Sequence, residues 1–219
     1  MKATSKLVVG LVCASAMVVA TSHVSAQVVN GGFETAAGTT TGAAGWSNFS
    51  TPAAGGVSAS ATRSLLDPFA GVAELTLAYT NSATPGTGPS VIAQSDIFGG
   101  MSPGALTLTF QAKRVSSAGF ENNQVQVQWF NAANAFIGAT GFSSYNPTLT
   151  GAYSLQTRNY VAPAGTAGAI VQFLTAGSAV ANDNAMIRID NVTIVPEPTT
   201  FALVGLGLLG LLGLRRRKA

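Results

Sequence analysis

The chain has 219 residues, only 9% of them charged, and a formal net charge of +3, but six of its eleven Lys and Arg residues lie within the first six or the last five positions. Between residues 27 and 195 it has five basic and seven acidic side chains, and its single Cys and single His both fall before residue 27. This central segment therefore has no basic patch for nucleic acid, no disulfide, and no catalytic or zinc site built on Cys or His.

The N-terminus has the pattern of a secretory signal peptide. Lys2 and Lys6 flank the start of an apolar stretch at 7–20, which is followed by Val24-Ser25-Ala26. This pattern predicts a signal peptide over residues 1–26, with cleavage between Ala26 and Gln27. We therefore expect residues 27–195 to be exported, and their number is typical of one domain.

The central segment is predicted to be all-β. Apolar residues alternate with Thr or Gln at 106–111 and at 124–129, which gives each run one face for a core and one polar face. Gly, Pro and Asn clusters separate such runs, as is typical of a sandwich or barrel, and loops are predicted at 35–45, 50–60 and 80–89. The remaining predicted strands are Val28–Glu34, Val72–Tyr79, Ser90–Asp96, Ala152–Val161, Ala169–Leu174 and Met186–Val195.

The last predicted strand contains an irregularity. Ile187 and Ile189 share one face, but the next large apolar residue is Val192, so a step of three interrupts the period of two. A β-bulge at Asp190-Asn191 would restore the alternation and turn the Asp190 carboxylate out of the regular pleat.

The C-terminal residues 196–219 have three features in a fixed order. Pro196, Glu197 and Pro198 precede an apolar run at 199–214, and a basic end at 215–218 closes the chain with Arg215, Arg216, Arg217 and Lys218. A helix over the 16 residues of the run is about 24 Å long, whereas a hydrocarbon core is about 30 Å thick. The predicted transmembrane helix is therefore marginal as a permanent anchor.

This tail resembles the PEP-CTERM sorting signal of Gram-negative bacteria. The resemblance implies recognition by a membrane enzyme called exosortase, transient attachment to the inner membrane, and delivery to the cell surface or the extracellular space. It also implies an association with exopolysaccharide and biofilm. The alternative is an ordinary C-terminal transmembrane anchor.

The central segment resembles the jelly-roll β-sandwich of carbohydrate-binding modules and galactose-binding-like domains. Short pieces spread over nearly the whole segment carry the resemblance: Val29–Glu34, Gly45-Trp46, Ser90–Gln94, Pro103-Gly104 with the strand after it, and Ile187–Val192. It implies a jelly roll flanked by the signal peptide and the C-terminal transmembrane helix.

The same resemblance implies a structural calcium ion between the first and last strands. Glu34, Asp190 and backbone oxygens near Asn30 would supply the hard oxygen ligands that Ca²⁺ prefers. Alternatively, Glu34 is a surface acid and Asp190 only satisfies the amides of the bulge.

A glycan-binding surface is the second candidate site. Gln126, Gln128 and Phe130 share the polar face of one strand, and Tyr145 lies in a predicted loop. We expect Thr107, Thr109, Gln111 and Lys113 to extend this surface, and Trp46 and Trp129 to belong to the core. The alternative is a solvated outer sheet without a ligand.

The function that follows is a non-enzymatic, exported surface or extracellular-matrix protein. A carbohydrate-binding protein with a defined glycan is the alternative. A glycoside hydrolase is an outlier, because the sequence does not indicate two carboxylates held about 5 to 10 Å apart over a cleft.

Processing at both ends can be tested directly. The intact mass of the exported protein should lack residues 1–26 and the segment from about Pro196 onward. Mass spectrometry of the secreted and membrane fractions checks this, and recovery of the complete tail in the membrane fraction would instead favour a plain anchor.

Overall fold

The structure is a computed structural model that describes residues 28–37, 42–50, 57–81 and 88–196. The predicted signal peptide, its cleavage site at Ala26-Gln27 and the tail after Pro196 lie outside these residues. Within the described part of the chain, no helix has the length and apolar character needed to span a membrane.

Two antiparallel sheets make up the described part of the chain. The larger one has seven strands in the order β1-β4-β11-β7-β8, with β5 beside β11 and β9 beside β7, and the smaller one has the order β10-β6-β12-β3-β2. The strands are β1 Trp46–Ser50, β2 Val57–Ser64, β3 Glu74–Asn81, β4 Ser90–Ser95, β5 Phe98–Gly99, β6 Gly104–Ala118, β7 Glu121–Phe130, β8 Phe136–Ala139, β9 Ser143–Ser144, β10 Ser154–Ala162, β11 Gly168–Gly177 and β12 Asn184–Pro196. A single 3₁₀ turn at Asn146–Thr148 is the one helical element described.

The hydrophobic core combines the inward faces of both sheets. The five-stranded sheet contributes Leu106, Leu108 and Phe110, and the seven-stranded sheet contributes the buried alternate residues of β7, including Trp129. The alternation predicted for these two strands is thus confirmed. Trp46 is also buried, with its ring centroid 4.9 Å from that of Phe33, as expected from the sequence.

Two local predictions are wrong. The segment Val28–Glu34 forms turns instead of a strand, because Asn30 and Phe33 have φ of 50° and 56° and the Phe33 amide donates to the Asn30 carbonyl. The predicted loop at 50–60 contains the start of β2 at Val57. Its inward residues there are mainly Ala, whose small side chains give a weak apolar signal.

The predicted bulge is confirmed. Pairing of β12 with β6 passes from Asp190 opposite Gln111 to Thr193 opposite Thr109, so one residue too many lies in β12 between these pairs, and Asn191 has φ of 51°. Val192 is buried, and its amide donates to the Gly31 carbonyl over 2.9 Å. The bulge thereby ties the N-terminal turns to the last strand.

Gly31 makes this close approach possible, and its replacement should destabilise the fold. A Cβ atom at position 31 would clash with the Val192 carbonyl oxygen, so a backbone segment must shift in Gly31→Ala. We expect a loss of about 1–3 kcal/mol in the free energy of unfolding, as is usual for overpacking. Urea unfolding of Gly31→Ala beside Gly151→Ala tests it, since a Cβ at Gly151 meets nothing within 4 Å. Equal stabilities would contradict the prediction.

Candidate functional site

A row of glutamines crosses the outer face of the seven-stranded sheet. Gln172 on β11 lies opposite Gln94 on β4 and opposite Gln126 on β7. The Gln172 side-chain nitrogen donates to Gln94 Oε1. Gln172 Oε1 accepts from Gln126 and, over 3.0 Å, from Gln128. We call these four residues the glutamine ladder.

The hydrogen bonds fix the amide groups of the ladder in place. Gln126 and Gln172 are largely buried by their neighbours, so these side chains pay little additional ordering entropy when they bind a ligand. The amide nitrogen of Gln94 and the side-chain oxygens of Gln126 and Gln128 take no part in the ladder's own bonds. The ladder therefore presents both donors and acceptors.

Apolar residues line the ladder on both sides. Leu174 and Ile92 lie opposite each other in the next row of the sheet, and both are half-buried. Ile170 lies opposite Gln128 in the row on the other side. A sugar ring carries hydroxyls around its edge and C–H groups on its faces, so alternating rows of amides and apolar side chains are complementary to it.

Two phenylalanines lie next to the end of the ladder that Gln128 occupies. Phe130 on β7 pairs with Phe136 on β8, and their rings meet edge to face with centroids 5.9 Å apart. Phe130 is buried, whereas Phe136 is 59% exposed. The turn between them is held by Asn131 Oδ1, which accepts the amides of Ala133 and Ala135. Phe136 thus offers an exposed aromatic ring of the kind on which sugars stack.

The predicted glycan residues are placed in different parts of the molecule. Gln126, Gln128 and Phe130 do share the outer face of the seven-stranded sheet. Tyr145 does not, because it is fully buried against Phe110 and Phe173, where burial also raises its pKa. The expected extension by Thr107, Thr109, Gln111 and Lys113 is wrong, since β6 belongs to the other sheet.

Sequence reasoning missed Gln94, Gln172 and Phe136. Gln94 and Gln172 alternate with buried residues in β4 and β11, so their outward direction was readable from the sequence. Their adjacency to Gln126 was not, since it depends on the strand order. The Asn131–Asn134 turn signal was the available indication that Phe136 returns to Phe130.

The carboxylates of Glu34 and Asp190 both lie beside Gly32. A Cβ atom on Gly32 would lie 3.8 Å from Glu34 Oε1 and 3.9 Å from Asp190 Oδ1. Asp190 accepts the amides of Phe69 and Ala70 over 2.9 and 3.0 Å and that of Asn191 over 2.6 Å. Glu34 accepts the Val72 amide over 2.9 Å. Both acids therefore hold the segment between β2 and β3.

The surroundings of Asp190 disfavour the charged form of its carboxyl group. Burial raises the pKa of its carboxyl above the ordinary range, and the nearby Glu34 charge acts in the same direction, while the three amide hydrogen bonds partly offset both effects. A cation between the two carboxylates would relieve this penalty.

Asn30 does not join the two acids. Its Oδ1 accepts the Thr35 amide over 3.0 Å, and its carbonyl oxygen accepts from Phe33 and from Trp46 Nε1. These bonds shape the N-terminal turns. Over the ranges that the structure describes, no three His, Cys, Asp or Glu side chains are grouped so that they could hold a metal ion.

Comparison with known proteins identifies the tail and supports the fold. The family model described as the PEP-CTERM protein-sorting motif matches residues 195–218. The chain is therefore an exported protein with a C-terminal membrane-anchoring sorting signal. No curated protein sequence matches it.

Solved structures similar to this chain are distant in sequence. The enzymatically active domain of tailspike protein 4 from bacteriophage CBA120 has a TM-score of 0.53 at 13% identity, over 78% of this chain and 21% of its own. Carbohydrate-binding modules of the β-sandwich superfamily have a TM-score of 0.48 at 13% identity, over 69% and 57%. The xylan-binding domain of Xyn10C from Paenibacillus barcinonensis has 0.41 at 15%, over 75% and 90%. The fold is all-β, with two antiparallel sheets that resemble a jelly-roll sandwich, and the likeness extends to the fold alone.

Proposed function

We propose that this chain, whose tail is a PEP-CTERM sorting motif, is a non-enzymatic surface or extracellular-matrix protein that binds a polysaccharide on the outer face of its seven-stranded sheet. The observation that carries the proposal is the glutamine ladder, with apolar rows beside it and the exposed ring of Phe136 near it. A defined small glycan is the alternative ligand.

The binding mechanism follows from the two kinds of row. The amide groups of Gln94, Gln126 and Gln128 exchange hydrogen bonds with hydroxyls at the edge of a sugar ring. The Phe136 ring packs against the C–H face of a neighbouring ring. A long chain can run across a sheet face, so the ladder suits internal units of a polymer better than a free chain end.

The sorting motif supports a binding role outside the cell, because it indicates an exported protein. Exosortase is the expected partner at the inner membrane, and contact with that membrane ends if the tail is cut. The polymer nearest to a protein released in this way is the cell's own exopolysaccharide, and holding it would link the protein to the biofilm matrix. Catalysis is not part of the proposal, because the exported segment has no Cys or His and the Glu34 and Asp190 carboxylates hold loop amides.

Two pairs of variants test the binding face. Phe136→Ala should weaken polysaccharide binding by about tenfold, since that factor corresponds to about 1.4 kcal/mol, the scale of one stacking contact. Gln172→Ala should weaken it by a similar factor, because it removes the side chain that fixes the amide groups of Gln94, Gln126 and Gln128. The matched controls are Phe120→Ala, at a position 58% exposed beside 59% for Phe136, and Gln111→Ala on the other sheet. A glycan array that includes the host's own polysaccharide, followed by titration calorimetry, provides the measurement.

Two results would argue against the face. Absence of binding to every polysaccharide would remove the proposed function. Equal losses in the Phe136 and Phe120 variants, or in the Gln172 and Gln111 variants, would place the binding elsewhere on the molecule.

A structural calcium ion held by Glu34 and Asp190 is a second proposal. It is supported by the position of both carboxylates beside Gly32 and by the raised pKa of Asp190. Backbone carbonyls and water would have to complete the coordination shell. Asn30 is left out, because its oxygens are already engaged.

The calcium proposal has a simple thermal test. Calcium should raise the melting temperature by mass action, a chelator should reverse the rise, and Asp190→Asn should abolish it. Asp96→Asn, an exposed acid on another loop, should keep the response. A melting temperature that does not respond to calcium or chelator would rule out the proposed calcium site.

A further inference from the structure

The loop between β2 and β3, residues 65–73, exposes an unusual amount of apolar surface. Leu65, Leu66, Phe69 and Val72 are all among the exposed large hydrophobic side chains, and Leu66 is 81% exposed. Single exposed apolar residues are common on protein surfaces. Four within eight positions of the chain form a candidate surface for contact with an apolar partner.

The only charged side chain of this loop, Asp67, is 59% exposed but is paired with cations of the protein. Asp67 forms ion pairs with Lys113 and, over 3.2 Å, with Arg188. The Tyr153 hydroxyl also donates to the Asp67 backbone carbonyl over 3.1 Å. Ala112 and Ile189 belong to the core, so their neighbours Lys113 and Arg188 point to the outer face of the five-stranded sheet. The loop that pairs with these two cations therefore folds over that outer face. Leu65, Leu66 and Val72 supply most of the loop's exposed apolar surface, while the Phe69 ring also contacts Tyr153, with centroids 5.6 Å apart.

Backbone amides of the loop also have hydrogen-bond partners within the protein. The amides of Phe69 and Ala70 donate to Asp190, and that of Val72 donates to Glu34. The Leu66 amide donates to the Ser64 hydroxyl over 3.2 Å. Surface loops usually satisfy such groups with water, and losing that water is costly. Four amides that already have protein partners reduce the cost of moving this loop into a less polar medium.

The loop is attached to the strand that leads to the sorting tail. Asp190 precedes Pro196, the last residue of β12, by six positions, or about 20 Å of extended chain. The apolar run of the tail begins three residues later, at Thr199. The exposed side chains of Val161 and Val195 lie at the ends of β10 and β12, on either side of β6. Because only two residues separate Pro196 from the start of the apolar run, we expect this end of the sheet to lie near the bilayer surface while the tail is in the membrane.

We infer that the β2–β3 loop is an interfacial contact, which lies among the lipid headgroups while the chain is tethered by its tail. This inference depends on the sorting motif and not on glycan binding. The loop has no cation of its own, so the contact is apolar and should not require anionic lipid. Its role would be to orient the domain on the membrane before release.

A fluorescent probe at two matched positions tests the inference. The exported chain, residues 27–219, has no Cys of its own and carries either Leu65→Cys or Val180→Cys, labelled with an environment-sensitive dye and reconstituted in phosphatidylcholine vesicles. Both positions are 59% exposed, but Val180 lies before the first residue of β12, at the opposite end of that strand. We expect a blue shift at position 65 with loss of emission to nitroxide-labelled lipid, no such change at 180, and the same result when phosphatidylglycerol is added.

Each other outcome overturns the inference. Equal emission and equal quenching at the two positions would mean that the loop is not preferentially in contact with lipid. A blue shift at position 65 without quenching by nitroxide lipid would mean that protein covers the loop. If that shift disappeared when the protein-to-lipid ratio was lowered, the cover would be a second copy of this chain.

Discussion

The carboxylate of Asp190 is the point on which the arrangement of this domain depends. The extra residue in β12 turns this side chain out of the pleat, where it accepts amides from the β2–β3 loop and from Asn191. Two residues later, Val192 donates to Gly31 and fixes the N-terminal turns. One irregularity thus joins three segments that are far apart in the chain. Burial raises the pKa of Asp190, so the protein maintains this junction against an electrostatic cost.

The two outer faces of the sandwich have different chemistry because alternate residues of each strand point to opposite faces of its sheet. On the seven-stranded sheet, the period of two places glutamines of three strands in one row, and their amides bond to one another. On the five-stranded sheet, the corresponding positions of β6 and β12 carry Lys113 and Arg188, which are covered by a loop that pairs with them. A shift of one residue in register would bury the glutamines and expose the core.

Local patterns in the sequence predicted most strands and the bulge. The alternation at 106–111 and 124–129, and the step of three after Ile189, all report on the period of a single strand. One error arose where positive φ angles at Asn30 and Phe33 replace a strand by turns. The other arose in β2, where small side chains weaken the apolar alternation. The grouping of Gln94 with Gln172, and the separation of Gln111 from Gln126, depend on strand order, which no single segment encodes. Tyr145 follows a predicted loop signal but packs inward on Phe110.

The strand order also sets a direction through the molecule. The glutamine ladder and the β2–β3 loop lie on opposite outer surfaces of a sandwich whose layers are about 10 Å apart. If one surface rests on lipid, the other must face away from it. The domain would then act as a spacer of fixed thickness, holding a bound polymer at a set height above the bilayer until the tether is cut.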